Sequence, residues 1–404
     1  MGTVNKNEKL ANLGYLALGK ETTKGVAVKP SIFAYLVEED IKHDIHLDED
    51  NSIVGIREKR FKVFRGQESI SGSIKVIAEP TTIGHFFNML LYKASDNGSG
   101  DATTGYTHTF TVGGEPKSYT LEFLKGNIPV RLIGAEATSI TPDFQDNKMI
   151  LNIAIVAREQ FSLATIASVS GTTIVLDDSE RPNPADGLTT SDTLRLYDVS
   201  AGTYEDVAIT NINTDGKTLT VGAISGTYDS GDLVYLVPLT PSYDALGEPF
   251  SWARTQFKFG NDIATALAAT QTRMEKDSNW TIKYDLENEE GARRSGGYAP
   301  ANFVRINADA DIKLKQFFSD GQDLNQFLQR VPQALVIEHT SPSKAGSNNN
   351  ALLRIKFNKY YIKSDSVPLK AGSVIYSELD LVPVYSDTDG QMFSVELLTD
   401  QKTI

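Results

Sequence analysis

The apolar residues of this chain fall in short runs, many alternating with polar ones, and Gly, Asn, Asp and Pro punctuate the gaps. That pattern predicts strands, because successive side chains of a strand point to opposite faces and turns need residues that tolerate unusual backbone angles. Residues 69–77, 119–124, 128–133, 150–156, 334–339, 352–357 and 393–398 read this way. Helical period is confined to two places. Ile83, Phe86, Phe87, Leu90 and Leu91 recur at helical spacing and predict one helix with a core-facing stripe. Thr81 or Thr82 would cap it by accepting a free backbone N–H. Leu314, Phe317 and Phe318, followed by Leu324, Phe327, Leu328 and Val331, predict a second helical stripe, interrupted at Asp320-Gly321.

The middle of the chain differs in texture. Residues 165–241 are rich in Thr, Ser, Asp and Gly, and 171–176, 193–197, 204–212, 218–221 and 232–237 read as five strands. Asp215-Gly216 signals a hairpin, since Gly accepts the positive φ of a type I′ turn. Five strands in such a length predict a small self-contained barrel or sandwich, and Pro238 and Pro241 mark its exit. With that stretch set aside, the flanks carry a weak internal repeat. Leu121-Glu122-Phe123 matches Ile337-Glu338-His339, and Asn127-Ile128-Pro129-Val130-Arg131-Leu132 matches Asn350-Ala351-Leu352-Leu353-Arg354-Ile355. The expected fold class is therefore mainly β: two sets of strands with a helix, in a weakly repeated order, plus a small inserted all-β domain. The corresponding boundaries are 1–164, 165–241 and 242–404.

Composition narrows the function. The 404 residues include no cysteine, which removes thiolate metal sites, iron–sulfur clusters, disulfide scaffolds and cysteine nucleophiles. A net charge of −13 opposes a protein that grips DNA by its phosphates, because that affinity comes from basic groups that displace counterions. An acidic surface suits DNA that slides past. No stretch approaches the roughly 18 apolar residues that span a bilayer, and no secretory signal is read at the start of the chain. Membrane insertion is not expected, and assembly in a reducing cytosol is.

The phrase Leu18-Gly19-Lys20-Glu21-Thr22-Thr23-Lys24-Gly25-Val26-Ala27-Val28-Lys29-Pro30 resembles the N-terminal arm of the tail tube proteins of tailed bacteriophages. The likeness continues through the acidic segment after Phe33, the strand 69–77 and the helix 83–91. It implies a tail-tube β-sandwich or barrel domain with a flanking helix, duplicated in this chain, whose strands join those of neighbouring copies into a barrel around a channel, six domains to a ring and rings stacked head to tail. It further implies a virion-tail location after assembly in the host bacterial cytoplasm, self-association as three chains per ring if the domain is duplicated and six otherwise, contacts with a tape measure protein and a tail terminator, and double-stranded DNA passing transiently through the lumen. The arm 1–29, polar and poor in core residues, would order only against a neighbour. The segment 38–65 carries Asp40, Asp48 and Asp50 followed by Arg57, Arg60 and Arg65. It reads either as a two-signed loop that stacks one ring on the next or as a solvated hairpin. With Lys20, Glu21 and Lys24 of the arm, these are the candidate inter-ring or inter-subunit contacts.

Sites for chemistry are not found. Residues 14–21 have the spacing of a phosphate-binding loop up to Lys20, but Glu21 stands where Ser or Thr should hold magnesium. His43 and His46 near Asp40, Asp44, Asp48 and Asp50 read as a solvated acidic segment before a metal cluster. Asp387-Thr388-Asp389-Gly390 and Asn213-Thr214-Asp215-Gly216 lack the glutamate and flanking helices of a calcium loop. His85 reads as packing beside the helix stripe. No catalytic constellation, metal or cofactor is expected. The alternative function is a carbohydrate-binding or adhesin-like surface protein, with Tyr197, Tyr204, Tyr228 and Tyr235 of the middle segment as an aromatic face.

Overall fold

The computed structural model describes residues 14–50, 62–179, 181, 183–244, 247–272, 274–275, 277–286, 300, 302–318, 322–369 and 374–404. The first part carries strands β1 (Leu16–Lys20), β2 (Ile32–Ala34), β3 (Leu36–Asp50) and β4 (Lys62–Ile77), helix α1 (Ile83–Leu90), then β5 (Ser99–Asp101), β6 (Gly105–Thr111), β7 (Tyr119–Lys125), β8 (Ile128–Gln145), β9 (Lys148–Ala157) and β10 (Glu159–Phe161). The middle carries β11 (Ala164–Ser170), β12 (Thr173–Leu176), β13 (Thr193–Asp198), β14 (Thr203–Ile212), β15 (Thr218–Val221) and β16 (Leu233–Leu236). The last part carries β17 (Thr255–Gly260), helix α2 (Ile263–Ala268), β18 (Asn279–Leu286), β19 (Arg305–Phe317), helix α3 (Gln322–Gln329), β20 (Gln333–Lys344), β21 (Asn350–Ser366), β22 (Tyr376–Pro383) and β23 (Phe393–Thr399). The fold is mainly β, and among the described residues no helix is long and apolar enough to cross a membrane.

In the first part β1 lies between β2 and β7, β7 pairs with β8, and the other edge of β8 takes β9 and then β10; β9 pairs with β4, and β4 with β3. In the last part β17 pairs with β20 and β20 with β21, the other edge of β21 takes β22 and β23, β22 pairs with β19, and β19 with β18. Apart from β2, which has no counterpart strand beside β17 among the described residues, the two pairing orders correspond. The long strands β8 and β21 each serve two layers, and Gly134 (φ 63°) supplies the bend in β8 that a side chain would resist. The two parts join where β18 pairs with β8 (Ile282 opposite Ile140) and β23 with β6 (Val395 opposite Phe110).

One core fills the space between the layers, from Leu16, Ile74, Phe86 and Ile153 in the first part to Trp280, Leu314, Ile355 and Leu381 in the last. The expected helix is α1, but it is buried on every side and not along one stripe. Its polar residues are accommodated by Tyr119, whose hydroxyl lies 3.1 Å from His85 Nδ1 and accepts from Asn88 Nδ2 at 3.2 Å. Thr82 occupies the N-cap position without a side-chain cap bond. The Glu79 carbonyl instead accepts from the N–H groups of Thr82 and Ile83. The second helical stripe divides. Leu314 and Phe317 belong to β19, where Ala310, Ile312 and Leu314 face the core at a spacing of two; only 322–329 is helical. Asp320-Gly321 lies outside the described residues.

The middle part is a closed six-stranded barrel in the order β11-β12-β15-β14-β13-β16. The sixth strand, β11, has no clean alternation in the sequence, because Ser168 and Ser170 interrupt its apolar residues and its register shifts between Ile166 and Ser168. The Asp215-Gly216 hairpin exists, but only Gly216 has positive φ (68°). Gly216 N–H donates to Asn213 O and Asn213 N–H to Thr218 O, so the loop is longer than a two-residue type I′ turn. That turn type belongs to Asp146 and Asn147 (φ 47° and 61°), which link β8 to β9. The barrel is tied to the first part by Arg131, buried between Glu122 (Nη2 to Oε2, 2.8 Å) and Asp192 (Nη1 to Oδ2, 2.6 Å). Removing one partner of a buried ion pair strands the other, so Arg131→Ala is expected to cost about 3–5 kcal/mol by chemical denaturation.

Burial also sets an acid limit. His339 is fully enclosed; Trp280 Nε1–H donates to its Nε2 at 3.3 Å and Thr255 Oγ1 lies 2.8 Å from Nδ1. Desolvation lowers the pKa values of His339 and His85 to about 3. The unfolded chain takes up these protons near pH 6.5, the folded chain only near pH 3, so stability is full above the first value and declines toward the second. Melting curves between pH 7 and pH 4 should fall progressively, by about 1.4 kcal/mol per histidine for each pH unit below the unfolded value.

Candidate functional site: a polar sheet face with two open edges

The join between β18 and β8 makes one antiparallel ladder of eight strands, β3-β4-β9-β8-β18-β19-β22-β21. Its two faces differ because each strand alternates. One face carries Ile70, Ile74, Ile153, Ile140, Ile282, Ile312 and Leu379, all buried in the core. The other is polar. Ser69, Ser71 and Ser73 of β4, Asn152 of β9, Ser139 and Thr141 of β8 and Thr281 of β18 form its middle, and Thr141 and Thr281 share a hydroxyl hydrogen bond of 2.8 Å across the join. Around them stand Glu38, Asp40, Asp44, Asp143, Asp309, Asp311, Glu378 and Asp380, with Lys42, Lys75, Lys283, Lys313 and Lys315.

Carboxylates outnumber lysines on this face, and several of the lysines are already paired. Lys75 meets Glu38 at 2.5 Å, Lys283 meets Asp311 at 2.6 Å and Asp309 at 3.4 Å, and Lys315 meets Asp277 at 3.3 Å and Glu378 at 3.5 Å. The carboxylates hold the Lys75, Lys283 and Lys315 ammonium groups above the usual lysine range. Such surface pairs stabilise the fold little; their consequence is electrostatic. A paired ammonium does not neutralise a phosphate, so the face repels a polyanion and gives it little to hold.

Among the described residues, two edges of this ladder have no strand beside them: the outer edge of β3, and the outer edge of β21 beyond Tyr360, where β20 stops. Beyond Ser69 the β3–β4 hairpin has left β9 and runs on as a two-stranded ribbon. Of the two readings of this segment, a stacking loop and a solvated hairpin, the described residues give two paired strands, because Ile41, Ile45, Leu47, Val63 and Phe64 supply strand-forming residues between the charges. Ile45, Leu47, Val63 and Phe64 are left exposed on it. Asp40 and Asp48 are solvent-facing on β3, and Asp50 is its last residue, opposite Lys62. Arg65 pairs with Glu68, which also bonds His43 at 2.9 Å. The His43 bond, opposed by partial burial and assisted by Arg65, lowers the Glu68 pKa to about 2. Arg57 and Arg60 lie outside the described residues.

The arm departs from expectation. Residues 1–13 lie outside the described residues, but 14–29 are ordered by the chain itself, and Tyr15, Leu16, Ala17 and Leu18 are core residues. The apolar run Tyr15-Leu16-Ala17-Leu18 was the available signal. Glu21 is buried and accepts four hydrogen bonds, from Gly25 N–H (2.8 Å), Gly134 N–H (2.8 Å), Ser118 Oγ (2.7 Å) and Thr120 Oγ1 (3.0 Å). This explains the spacing of Glu21 and Gly25: the carboxylate closes a turn on a glycine with φ 74° and pins it to β7 and β8. Lys20 pairs with Asp96 at 3.1 Å and Lys24 with Glu136 at 2.5 Å.

On the barrel, Tyr228 is buried in the core, whereas Tyr197, Tyr204 and Tyr235 lie on the outer face with Arg195. Arg195 stacks 4.1 Å from the Tyr204 ring centroid and binds Asp206 through two nitrogens. Among the described residues no group of three or more His, Asp and Glu is placed to hold a metal. No protein-family model matches the chain, and no curated protein matches it. Glu21→Ala strands four donors at once and should destabilise the fold by about 3 kcal/mol or more in denaturant titrations, with Glu21→Gln costing less because one acceptor remains.

Proposed function

We propose that this protein is a tail tube subunit of a tailed bacteriophage, a structural protein that assembles into stacked rings through which double-stranded DNA leaves the virion. The observation that carries the reading is the eight-stranded ladder: polar and net acidic on one face, sealed by a core on the other, and open at both ends. A sheet with two open edges is an aggregation hazard in a lone chain and a joint in a ring, because a closed barrel has no edge. The polar face would line the channel, where an acidic, hydroxyl-rich wall lets a polyanion slide without adhering.

The two matching strand orders support a duplicated tube domain, 1–164 and 242–404, flanking the barrel domain 165–241. Each copy would supply four strands to the wall, so three chains would complete the six-domain ring that the resemblance implies. The ribbon beyond the sheet, with its exposed Ile45, Leu47, Val63 and Phe64 beside Asp48 and Arg65, is suited to reach the next ring. The chain would act without a cofactor and without catalysis, alongside a tape measure protein and a tail terminator. The barrel would stand outside the wall.

Negative-stain electron microscopy of concentrated protein should give hollow stacked rings with three-fold symmetry and six inner lobes. True six-fold rings would refute the duplication and keep the tube, and a monomer at every concentration would count against the reading. In assembled tubes, Ser71→Lys with Ser73→Lys should retain duplex DNA at low salt and release it as salt rises, with the unsubstituted tube retaining little; equal retention by both would exclude the polar face as the wall.

A further inference from the structure

Within the polar ladder the chain completes an edge-to-edge join, β18 on β8, and among the described residues the same two positions in the matching strand sets are the ladder's two open edges, β3 and β21. From this we infer that β3 of one copy pairs with the 361–366 stretch of β21 in a second copy, in the register that the internal join displays. The inference rests on the ring-forming reading above and specifies its joint.

The register can be carried across row by row. In the first set, the row through Ile153 holds Ile74 on β4 and Ile140 on β8. In the second set, the row through Leu379 holds Leu314 on β19 and Asp365 on β21. Both rows lie just past an irregularity in the long strand, between Ala137 and Ser139 in β8 and between Ile362 and Ser364 in β21, so they correspond. Four residues before Ile74 is Ile70, opposite His43; four residues before Leu314 is Ala310, opposite Ile282. His43 therefore holds the place of Ile282, and Asp365 the place of Ile140. Within the chain Ile282 lies opposite Ile140 and Lys283 opposite Ser139. Between chains the same join sets His43 opposite Asp365, Asp44 opposite Ser364 and Lys42 opposite Ser366.

The chemistry of these pairs is compatible. An imidazole meets a carboxylate on the core side, while an acid and an ammonium each meet a hydroxyl on the polar side; cross-strand neighbours of this kind stabilise a sheet. No like charges are opposed. Ile45, which the single chain leaves exposed, falls beside the Ile362–Lys363 irregularity and is partly covered. The join is head to tail, since a chain offers β3 at one end of its ladder and β21 at the other. Such contacts repeat until they close.

The absence of native cysteine makes the register directly testable in the full chain. Residues directly opposite in an antiparallel pair have Cα atoms about 4.5–5.5 Å apart, inside the range that a disulfide bridges. Within one chain the two edges are separated by seven strand spacings, roughly 33 Å, so Asp44→Cys and Ser364→Cys can join only between copies. Mild oxidation of the double variant under assembly conditions should give covalent oligomers on a denaturing gel, ending in one closed species. Asp40→Cys with Ser364→Cys, displaced by four residues or about 13 Å, should give none, and each single variant should stop at a dimer or below. Circular dichroism establishes that the variants fold. Rings in the microscope without cross-linking of the first pair, or cross-linking of the displaced pair in its place, overturn this register and leave the tube reading standing. Neither rings nor cross-links overturn both.

Discussion

Every N–H and C=O along a strand needs a partner, and the edges of a sheet are where that need is unmet. This constraint organises the molecule. Each of the two strand sets would by itself expose an edge on either side of its polar sheet. Joining β18 to β8 removes one edge from each set and leaves β3 and β21, so the chain settles half of the problem internally. The ladder's alternation then separates an apolar side, sealed by α1 and the second layer, from a hydroxyl and carboxylate side that faces water.

The remaining charges are placed accordingly. Three charged groups that the fold buries or half-buries are tied by several bonds each: Glu21 by four donors, Arg131 by Glu122, Asp192 and the Gly187 carbonyl, and Arg305 by Glu136 and the last carbonyls of α1. These knots join the arm to the sheet, the barrel to the first part and the last part to the helix of the first. Arg354 occupies in the last part the ladder position that Arg131 holds in the first, opposite Glu338 as Arg131 is opposite Glu122. There its second carboxylate is Glu396 of β23, and it stays partly exposed. One guanidinium position thus serves a local ion pair in one part and the docking of a whole barrel in the other.

The polar face holds a hollow lined by Asp277, Lys313, Lys315, Ser364, Glu378 and Asp380, in which Lys315 pairs with Asp277 and Glu378, and neighbouring acids raise the pKa values of Lys75, Lys283 and Lys315. His85 and His339, whose pKa values burial lowers to about 3, are packed against hydrogen-bond partners, Tyr119 for the first and Trp280 and Thr255 for the second.

Much of the architecture was legible in the sequence. Period-two alternation located the strands around Ile74, Ile153 and Leu397, the texture of 165–241 located the barrel, and the Glu-Arg matches at 122/131 and 338/354 correspond to a cross-strand pair in each of two hairpins, β7–β8 and β20–β21. Where alternation was overridden by a local impression the reading failed: Leu314, Phe317 and Phe318 look helical in isolation, yet Ala310, Ile312 and Leu314 already alternate. Other features had no local signal. That Glu21 is buried, that Tyr228 turns inward while Tyr204 turns out, and that β18 lies against β8 depend on residues more than a hundred positions away or on which face a neighbouring strand presents. Periodicity along a chain fixes which side chains share a face; which edge meets which is decided only when the strands are assembled, because backbone hydrogen bonds are nearly indifferent to the side chains that flank them.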